Sequence, residues 1–595
     1  MMQDKIIEKH KISNYYFLIV LVLIYPYLLI FQGLDFTDVG HSLTNYQQIF
    51  IEPSSIQNAF SSWLTNIIGG IWIKIIGDLG LFGAKLGGAL VITLTCYLSY
   101  TILKDYIKKE YLLIGLLLTE MISFSGTVII INYNNLTALF FTLSAYFLIM
   151  GIFKRQYLLF LFSGFLIGLN IFIRFPNILG ILLVAAIFFY GYLKKIKISI
   201  QIRQSLYLFL GWCASIIMVL IIMKILGHYK LYLNSLLDLF KMAMKFNPHH
   251  SGMKLIKMLI VDHLYILQYS FVALVGTIIT SKVFHKIKLN KFLKYSIFFI
   301  FALLISWFLY GRYRYFIYAI MGMLYFSVLI NIFNFRKINI SLRAISLIAL
   351  LILFITPLGS GNGVLNAKFG MWLALTISIA LLMQIIEIQS DLNLIIGFNK
   401  IYSKLKMSKQ EMLFAKRIIL IFCFTFMVVF SFKYTCRDTA NRFAMHYSIN
   451  YYKLKMVYTT KERAKVVEEL LSELPKYVHK GEYLLTYEKI SMACFLTETK
   501  PYLYNSWPML YQPEEFQEAI EKAIKEKEEL PVIVRAKRST SNFEWPNNSD
   551  IGLINSFNYN RGREIMKEFI YKYFYKIVWE NDFFQILLPG MSFRN

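Results

Sequence analysis

Residues 14–41 read NYYFLIVLVLIYPYLLIFQGLDFTDVGH. The 20 positions from 14 to 33 carry no charge, and ~20 apolar residues are what a helix needs to cross a hydrocarbon core. Two carboxylates, Asp35 and Asp38, follow immediately in Gly33-Leu34-Asp35-Phe36-Thr37-Asp38-Val39-Gly40-His41. A span followed by paired acids at the membrane edge sets two expectations: a polytopic chain, and chemistry at one surface of it.

The rest of the sequence extends the first expectation. Of the 595 residues 57% are apolar, 17% aromatic and 16% charged, and the mean hydropathy is +0.54. That composition excludes an ordinary soluble domain and a disordered chain. Thirteen apolar segments qualify as spans: 14–33, 79–103, 111–131, 135–153, 157–173, 177–193, 206–226, 264–281, 295–310, 315–334, 343–357, 369–388 and 418–432. The expected fold is an α-helical polytopic membrane protein of about 13 transmembrane helices, and the bilayer is its first partner.

Charge divides the chain at Phe432. Residues 433–595 hold 24 Lys/Arg and 21 Asp/Glu, net +3, whereas residues 1–432 hold 38 and 14, net +24. The overall net charge of +27 therefore belongs to the membrane part and does not signal nucleic acid. With the N-terminus inside, 26 of the 38 basic residues fall on cytoplasmic pieces, as the positive-inside rule requires. An odd number of spans then puts residues 433–595 outside the cytoplasm, so a bacterial inner membrane with an external C-terminal domain is the expected location. The external loops are 34–78, containing an apolar surface or re-entrant helix at Ser61–Ile76, and 227–263, read as a lid. The start of the chain, with no small-residue cleavage site after it, reads as an uncleaved first helix.

The tail reads as a small α/β domain. Its helix at Lys461–Leu474 puts Val466, Val467, Leu470, Leu471 and Leu474 on one face, and Glu482–Tyr487, Pro531–Arg535 and Phe583–Leu588 read as strands. Cys436 and Cys494 both lie there, and a disulfide between them is open in an oxidising compartment. Phosphate loop, Walker motif, kinase motif set and G-x-S-x-G elbow are all absent from the sequence.

Acids are scarce in the membrane part, which gives those present more meaning. Asp35 and Asp38 can deprotonate or orient a hydroxyl, or share a divalent cation; alternatively Asp38 simply caps a helix. Glu120 lies mid-span, where a carboxylate is expensive without a partner or a wet cavity. The outer side also holds cations against the charge trend: Lys85, Arg174, Arg312, Arg314 and Lys368. Each alone can snorkel to headgroups, whereas together they suit a phosphate. His249-His250 and His263 lack a third metal ligand at useful spacing.

Several short motifs follow one another along the chain. After Asp35/Asp38 come Leu81-Phe82-Gly83-Ala84-Lys85-Leu86, Asn132-Tyr133-Asn134-Asn135-Leu136-Thr137, Arg174-Phe175-Pro176-Asn177 and, in the tail, Leu496-Thr497-Glu498-Thr499-Lys500-Pro501-Tyr502-Leu503-Tyr504-Asn505-Ser506-Trp507-Pro508. In these and in its topology, nearly the whole chain resembles the GT-C superfamily of integral-membrane glycosyltransferases, in its protein mannosyltransferase and aminoarabinose transferase branch. The resemblance implies a sugar donor on a polyprenyl phosphate, a lipid, glycan or protein acceptor, and inversion at the anomeric carbon. It implies that Asp38 or Asp35 is the general base and that Arg312, Arg314, Arg174, Lys368 and Lys85 hold the lipid phosphate. His41, Asn134, Asn135, Asn362 and Tyr315 would line the substrate cavity. Asn132–Thr137 holds no acid where some relatives supply a second carboxylate, which leaves a divalent metal ion open and no other cofactor implied. The rival expectation is a transporter or flippase of a lipid-linked saccharide, which performs no chemistry and would centre its polar cavity on Glu120.

Overall fold

A computed structural model of the chain describes residues 2–127, 129–244, 252–333, 338–384, 408–439, 441–527, 529–540, 543–547 and 557–590. The first helix, α1 (Met2–Leu28), contains Pro26 near its end, where the ring supplies no N–H to the carbonyl four residues back. The first loop holds α2 (Asp38–Gln48), 3-10 turns at Pro53–Ser62 and α3 (Trp63–Ile76). There follow α4 (Gly80–Leu103), α5 (Lys109–Phe124), α6 (Tyr133–Lys154), α7 (Tyr157–Ile173), α8 (Ala185–Leu193) and α9 (Ile198–Ile225). The helical part closes with α10 (Tyr229–Met244), α11 (Gly252–Lys286), α12 (Lys291–Leu309), α13 (Tyr313–Ile332), α14 (Ile340–Ile355), α15 (Trp372–Met383) and α16 (Lys409–Lys433).

Among the described residues seven helical runs are long and apolar enough to cross a membrane, or eight if the bent pair Gly363–Phe369 and Trp372–Met383 is one span. The count of thirteen is not reproduced, and the reasons are local. The run 111–131 is helical only to Phe124, the run 177–193 begins as 3-10 turns at Phe175–Val184, and an 82° bend precedes α15. Tyr157–Ile173 and Ile340–Ile355 are apolar but shorter. The apolar window of α11 is only 11% buried, a surface suited to lipid and untenable in water. The chain is a multi-pass integral membrane protein.

Helix contacts in lipid depend on small residues, because apolar side chains gain nothing there by leaving the solvent. Gly164 and Gly168 of α7 face α9 so closely that a Cβ would lie 1.8 Å from the Leu208 carbonyl oxygen and 1.8 Å from Ser215 Oγ. Gly211 of α9 returns the contact, its Cβ position lying 2.0 Å from the Leu161 carbonyl oxygen. The helix expected at Ser61–Ile76 is α3, and the ring of Tyr46 lies 2.6 Å from where a Gly69 Cβ would be. Within the expected lid, α10 packs on the Pro53–Ser62 turns, while His249 and His250 lie outside the described residues.

The tail forms a mixed five-stranded sheet. Its strands are β3 (Tyr483–Tyr487), β4 (Lys500–Pro501), β5 (Val532–Ala536), β6 (Lys576–Glu580) and β7 (Phe584–Leu588), after a small hairpin of β1 (Tyr447–Ser448) and β2 (Tyr458–Thr459). The order is β4-β3-β5-β7-β6, with β4, β3 and β5 parallel and the β5–β7 and β7–β6 pairs antiparallel. Alternation along the strands feeds two cores. Leu484, Val534 and Ile586 meet the helix Lys461–Glu473, whereas Leu485, Ile533 and Leu587 meet the helices Pro513–Lys527 and Phe557–Lys572.

The first of those cores also contains Leu34, Phe36, Val39 and Leu43 of the first loop. Phe36 packs edge-on to Trp545 at 5.6 Å, and its carbonyl accepts from Met492 N–H at 3.0 Å. Loop and tail thus share one interior. Asp438 fastens it: fully buried, it is ion-paired to the buried Arg463 and accepts Leu34 N–H at 2.6 Å and the Thr459 hydroxyl at 3.0 Å. Removing one partner strands a buried charge, so Asp438→Ala is expected to cost about 3–5 kcal/mol and to lower the melting temperature of the detergent-purified protein. Unchanged melting would contradict this account of the junction.

Candidate functional site

The site is built where the first loop turns. Gly33 adopts φ +99, its N–H donates to the Tyr458 carbonyl at 3.0 Å, and Lys85 rises beneath it from α4. The Lys85 ammonium donates to the carbonyls of Gln32 at 2.9 Å and Gly33 at 2.5 Å. Asp35, 4% exposed, then accepts the N–H groups of Thr37 (2.7 Å), Asp38 (3.2 Å) and Val39 (3.3 Å). It satisfies the orphan donors at the start of α2. The capping role that the sequence suggested for Asp38 falls to Asp35.

Asp38 is left for other work. Its side chain is 36% exposed, and its Oδ2 meets the Arg437 guanidinium at 2.8 Å. Arg437 lies just beyond α16 and packs over the Trp507 ring at 5.6 Å, so the tail supplies the cation that holds the first-loop acid. Burial pushes Asp38 above the usual carboxylate range, against the pull of Arg437 and Lys489. Burial and then the Asp38 charge push Asp35 up to about 7, opposed by Arg437 and by the N–H groups of Thr37 and Val39. His41 is held at both ring nitrogens: Nε2 accepts from the Asn45 amide (3.1 Å), and since burial lowers the ring to about 4 and keeps it neutral, the proton sits on Nδ1, which donates to Ser506 Oγ (3.0 Å).

Cys436, next to Arg437 in the chain, lies within electrostatic range of both acids. Burial first, then Asp35 and Asp38, raise its thiol, against Arg437 and Lys368. Cys436 and Cys494 are both free thiols. The disulfide open to them does not form, because Cys494 is sealed in the loop–tail core while Cys436 faces the site.

The other cations are distributed unevenly. Lys368, within electrostatic range of Cys436, donates to the Ser125 carbonyl at 2.9 Å and lies over the rings of Phe369 and Tyr313 at 5.3 and 5.7 Å. Arg174 donates to the Thr356 carbonyl at 2.7 Å and to that of Leu358. Tyr133 lies within electrostatic range of both Arg174 and Asp38, linking that arginine to the loop. Arg312 and Arg314 are exposed; Arg312 lies over Tyr315 at 6.0 Å and Arg314 donates to the Asn362 carbonyl at 3.4 Å. Among the described residues neither is ion-paired with an acid, and the guanidinium that meets Asp38 is Arg437.

The remaining expected residues make contacts of their own. Asn134 and Asn135 donate backbone N–H groups to Asn132, the N-cap of α6, and the Asn135 amide holds the Ile130 carbonyl. Tyr315 stacks on Tyr269 at 4.5 Å. His263 stacks against Tyr325 and Phe354. Glu120 is fully buried in α5, with no hydrogen-bonded N or O donor and the Cys96 thiol beside it. A divalent cation does not fit here: Asp35 already accepts three N–H groups, Asp38 faces a guanidinium, and no group of three His, Cys, Asp or Glu gathers among the described residues.

No protein-family model matches the chain, and no curated protein sequence is significantly similar to it. Among solved structures it is similar to ArnT from Cupriavidus metallidurans bound to undecaprenyl phosphate, at 9% identity and a TM-score of 0.49, over 97% of this chain and 98% of that one. It is also similar to the archaeal oligosaccharyltransferase AglB from Archaeoglobus fulgidus in complex with an inhibitory peptide and a dolichol-phosphate, at 11% identity and a TM-score of 0.41, over 84% of this chain and 65% of that one. A third is the Archaeoglobus fulgidus oligosaccharyltransferase in complex with Zn and sulfate, at 10% identity and a TM-score of 0.39, over 84% and 64%. At these values the likeness is one of chain course, and the chemistry is argued from this chain's own residues.

The raised Asp35 gives a signed prediction. In the unfolded chain an Asp titrates near ~3.9, so the native state holds this proton more tightly and stability falls as pH rises from there towards about 7. Asp35→Asn keeps an oxygen for the N–H groups and removes the charge, so it should flatten the dependence in thermal melts across that window. An identical slope in both proteins would contradict the assignment.

Proposed function

We propose that this chain is a GT-C-type membrane glycosyltransferase that moves a sugar from a polyprenyl-phosphate lipid donor to an acceptor hydroxyl on the extracytoplasmic side. The observation that carries this reading is the division of the two first-loop acids. Asp35 is a buried cap, whereas Asp38 is accessible, rigidly placed at the start of a helix and aimed by an arginine from the tail. An acceptor O–H gives its proton to Asp38, its oxygen bonds to the anomeric carbon, and the bond from that carbon to the phosphate oxygen breaks with inversion. Charge grows on the departing lipid phosphate, and Lys368, Arg174 and Arg314 are the cations suited to stabilise it, with Arg312 and Lys85 at the margins. Arg437 keeps Asp38 oriented and is the addition to the expected set. A polar site at the membrane edge favours transfer over transport, because Glu120, the acid that a transport path would use, is sealed against Cys96.

Purified protein in lipid, assayed with a panel of polyprenyl-phosphate sugars, tests the reading. Asp38→Asn is expected to lose about 10²–10⁴ of the transfer rate, the range of a general base. Asp35→Asn should retain most of it, since the cap survives. In the wild type the rate should rise with pH through a range above that of a solvent-exposed carboxylate, because burial raises Asp38. Full activity in Asp38→Asn would refute the assignment of the base.

A further inference from the structure

Three of the cations just named share one support. Arg174 donates to the carbonyls of Thr356 and Leu358, Arg314 to that of Asn362, and Lys368 belongs to the same stretch, Thr356–Phe369. Lys368 is itself held at both ends: its ammonium donates to the Ser125 carbonyl at 2.9 Å and its own carbonyl accepts the Ser123 hydroxyl at 2.9 Å. A displacement of this stretch would move all three charges together.

The stretch is gripped from another helix by Asp262 of α11. Asp262 is 3% exposed, accepts the Tyr318 hydroxyl of α13 at Oδ1, and accepts Val364 N–H at Oδ2 at 2.9 Å. Both donors are neutral, and a carboxylate within an apolar helix is expensive for packing alone. The fit to the turn is tight: Gly363 has φ +57, and a Cβ there would lie 2.1 Å from Asp262 Oδ2. Tyr318 is in electrostatic range of Arg314, and it stacks with Tyr265 at 5.7 Å. The carboxylate therefore ties α11, α13 and the turn before α15 at one point.

We propose that Asp262 is a positioning residue for the lipid-phosphate end of the site: by fixing Gly363 and Val364 it sets where Lys368 stands and where the carbonyls aim Arg174 and Arg314. The proposal rests on the donor reading above. The physical reason is preorganisation. A phosphate oxygen is a stronger partner for a guanidinium than a neutral carbonyl, so the arginines can exchange carbonyls for phosphate with little loss, provided that they already stand in place.

Binding of a long-chain polyprenyl phosphate to the full-length protein in nanodiscs tests this, alongside the donor KM and kcat. Asp262→Ala and Gly363→Ala are each expected to weaken binding about tenfold or more and to raise the donor KM more than they lower kcat. Asp262→Asn keeps an acceptor for Val364 N–H and should recover binding to within about threefold of wild type. Tyr318→Phe, which leaves the Val364 bond in place, should fall between and carries the test if the alanine variants do not fold. Wild-type binding by Asp262→Ala, or by Tyr318→Phe where the alanine variants fail to fold, overturns the positioning role and leaves the donor reading standing. Absence of binding by the wild type overturns the donor reading and this proposal with it.

Discussion

The buried contact of Asp438 with Arg463 and with the Leu34 N–H is the constraint on which the end of the molecule that carries the candidate site depends. It joins groups 404 residues apart in the chain, Leu34 to Asp438. With the loop held there, Phe36 enters the tail's core, Met492 closes on its carbonyl, and a Cβ on Gly40 would lie 2.2 Å from Met492 N. The start of α2 is thereby fixed against a folded domain and not left as a mobile loop. A carboxylate at such a helix start is as rigid as the sheet beneath it, which a general base requires.

That rigidity explains why two similar acids behave differently. Asp35 and Asp38 are three residues apart, yet one points back at the helix N–H groups and the other forward into a partly open space. Backbone geometry decides this before any substrate is considered. The tail then acts twice: its core positions the loop, and Arg437 and Lys489 bring positive charge to Asp38. From the helical part, Lys368 comes within range of Cys436 and Arg174 within range of Tyr133, and both of these neighbours sense Asp38. Asp38 thus meets cations of the tail directly and is linked to cations of the helices through Cys436 and Tyr133, which leaves the base and the phosphate-binding charges on different elements.

Much of this was legible in the residue pattern, and the remainder was not for identifiable reasons. The tail helix at Lys461 and the strands at 483–487, 532–536 and 584–588 emerge close to where the apolar pattern puts them, because the helix buries one face and the strands, buried on both, are short apolar runs. The first-loop acids stood out by their scarcity. The number of spans was less legible, because hydropathy cannot report that Ser125 ends a helix or that the chain bends by 82° before α15. Arg437 and Asp438 were invisible as a site: they look like ordinary tail charges until folding places them beside residues from the first loop. Lys85 was read among the outer-side cations that snorkel to headgroups or hold a lipid phosphate, and its contacts with the Gln32 and Gly33 carbonyls could not be read from its position in the chain. A pairing across some four hundred residues leaves no local pattern to read.

The most direct measurement is an experimental structure of the protein in lipid with a polyprenyl phosphate bound. The account predicts the phosphate within hydrogen-bond reach of Lys368 and of Arg174 or Arg314, with an open path from it to the Asp38 carboxylate. A phosphate held elsewhere, with the Asp38–Arg437 pair sealed from the lipid by protein, would contradict it.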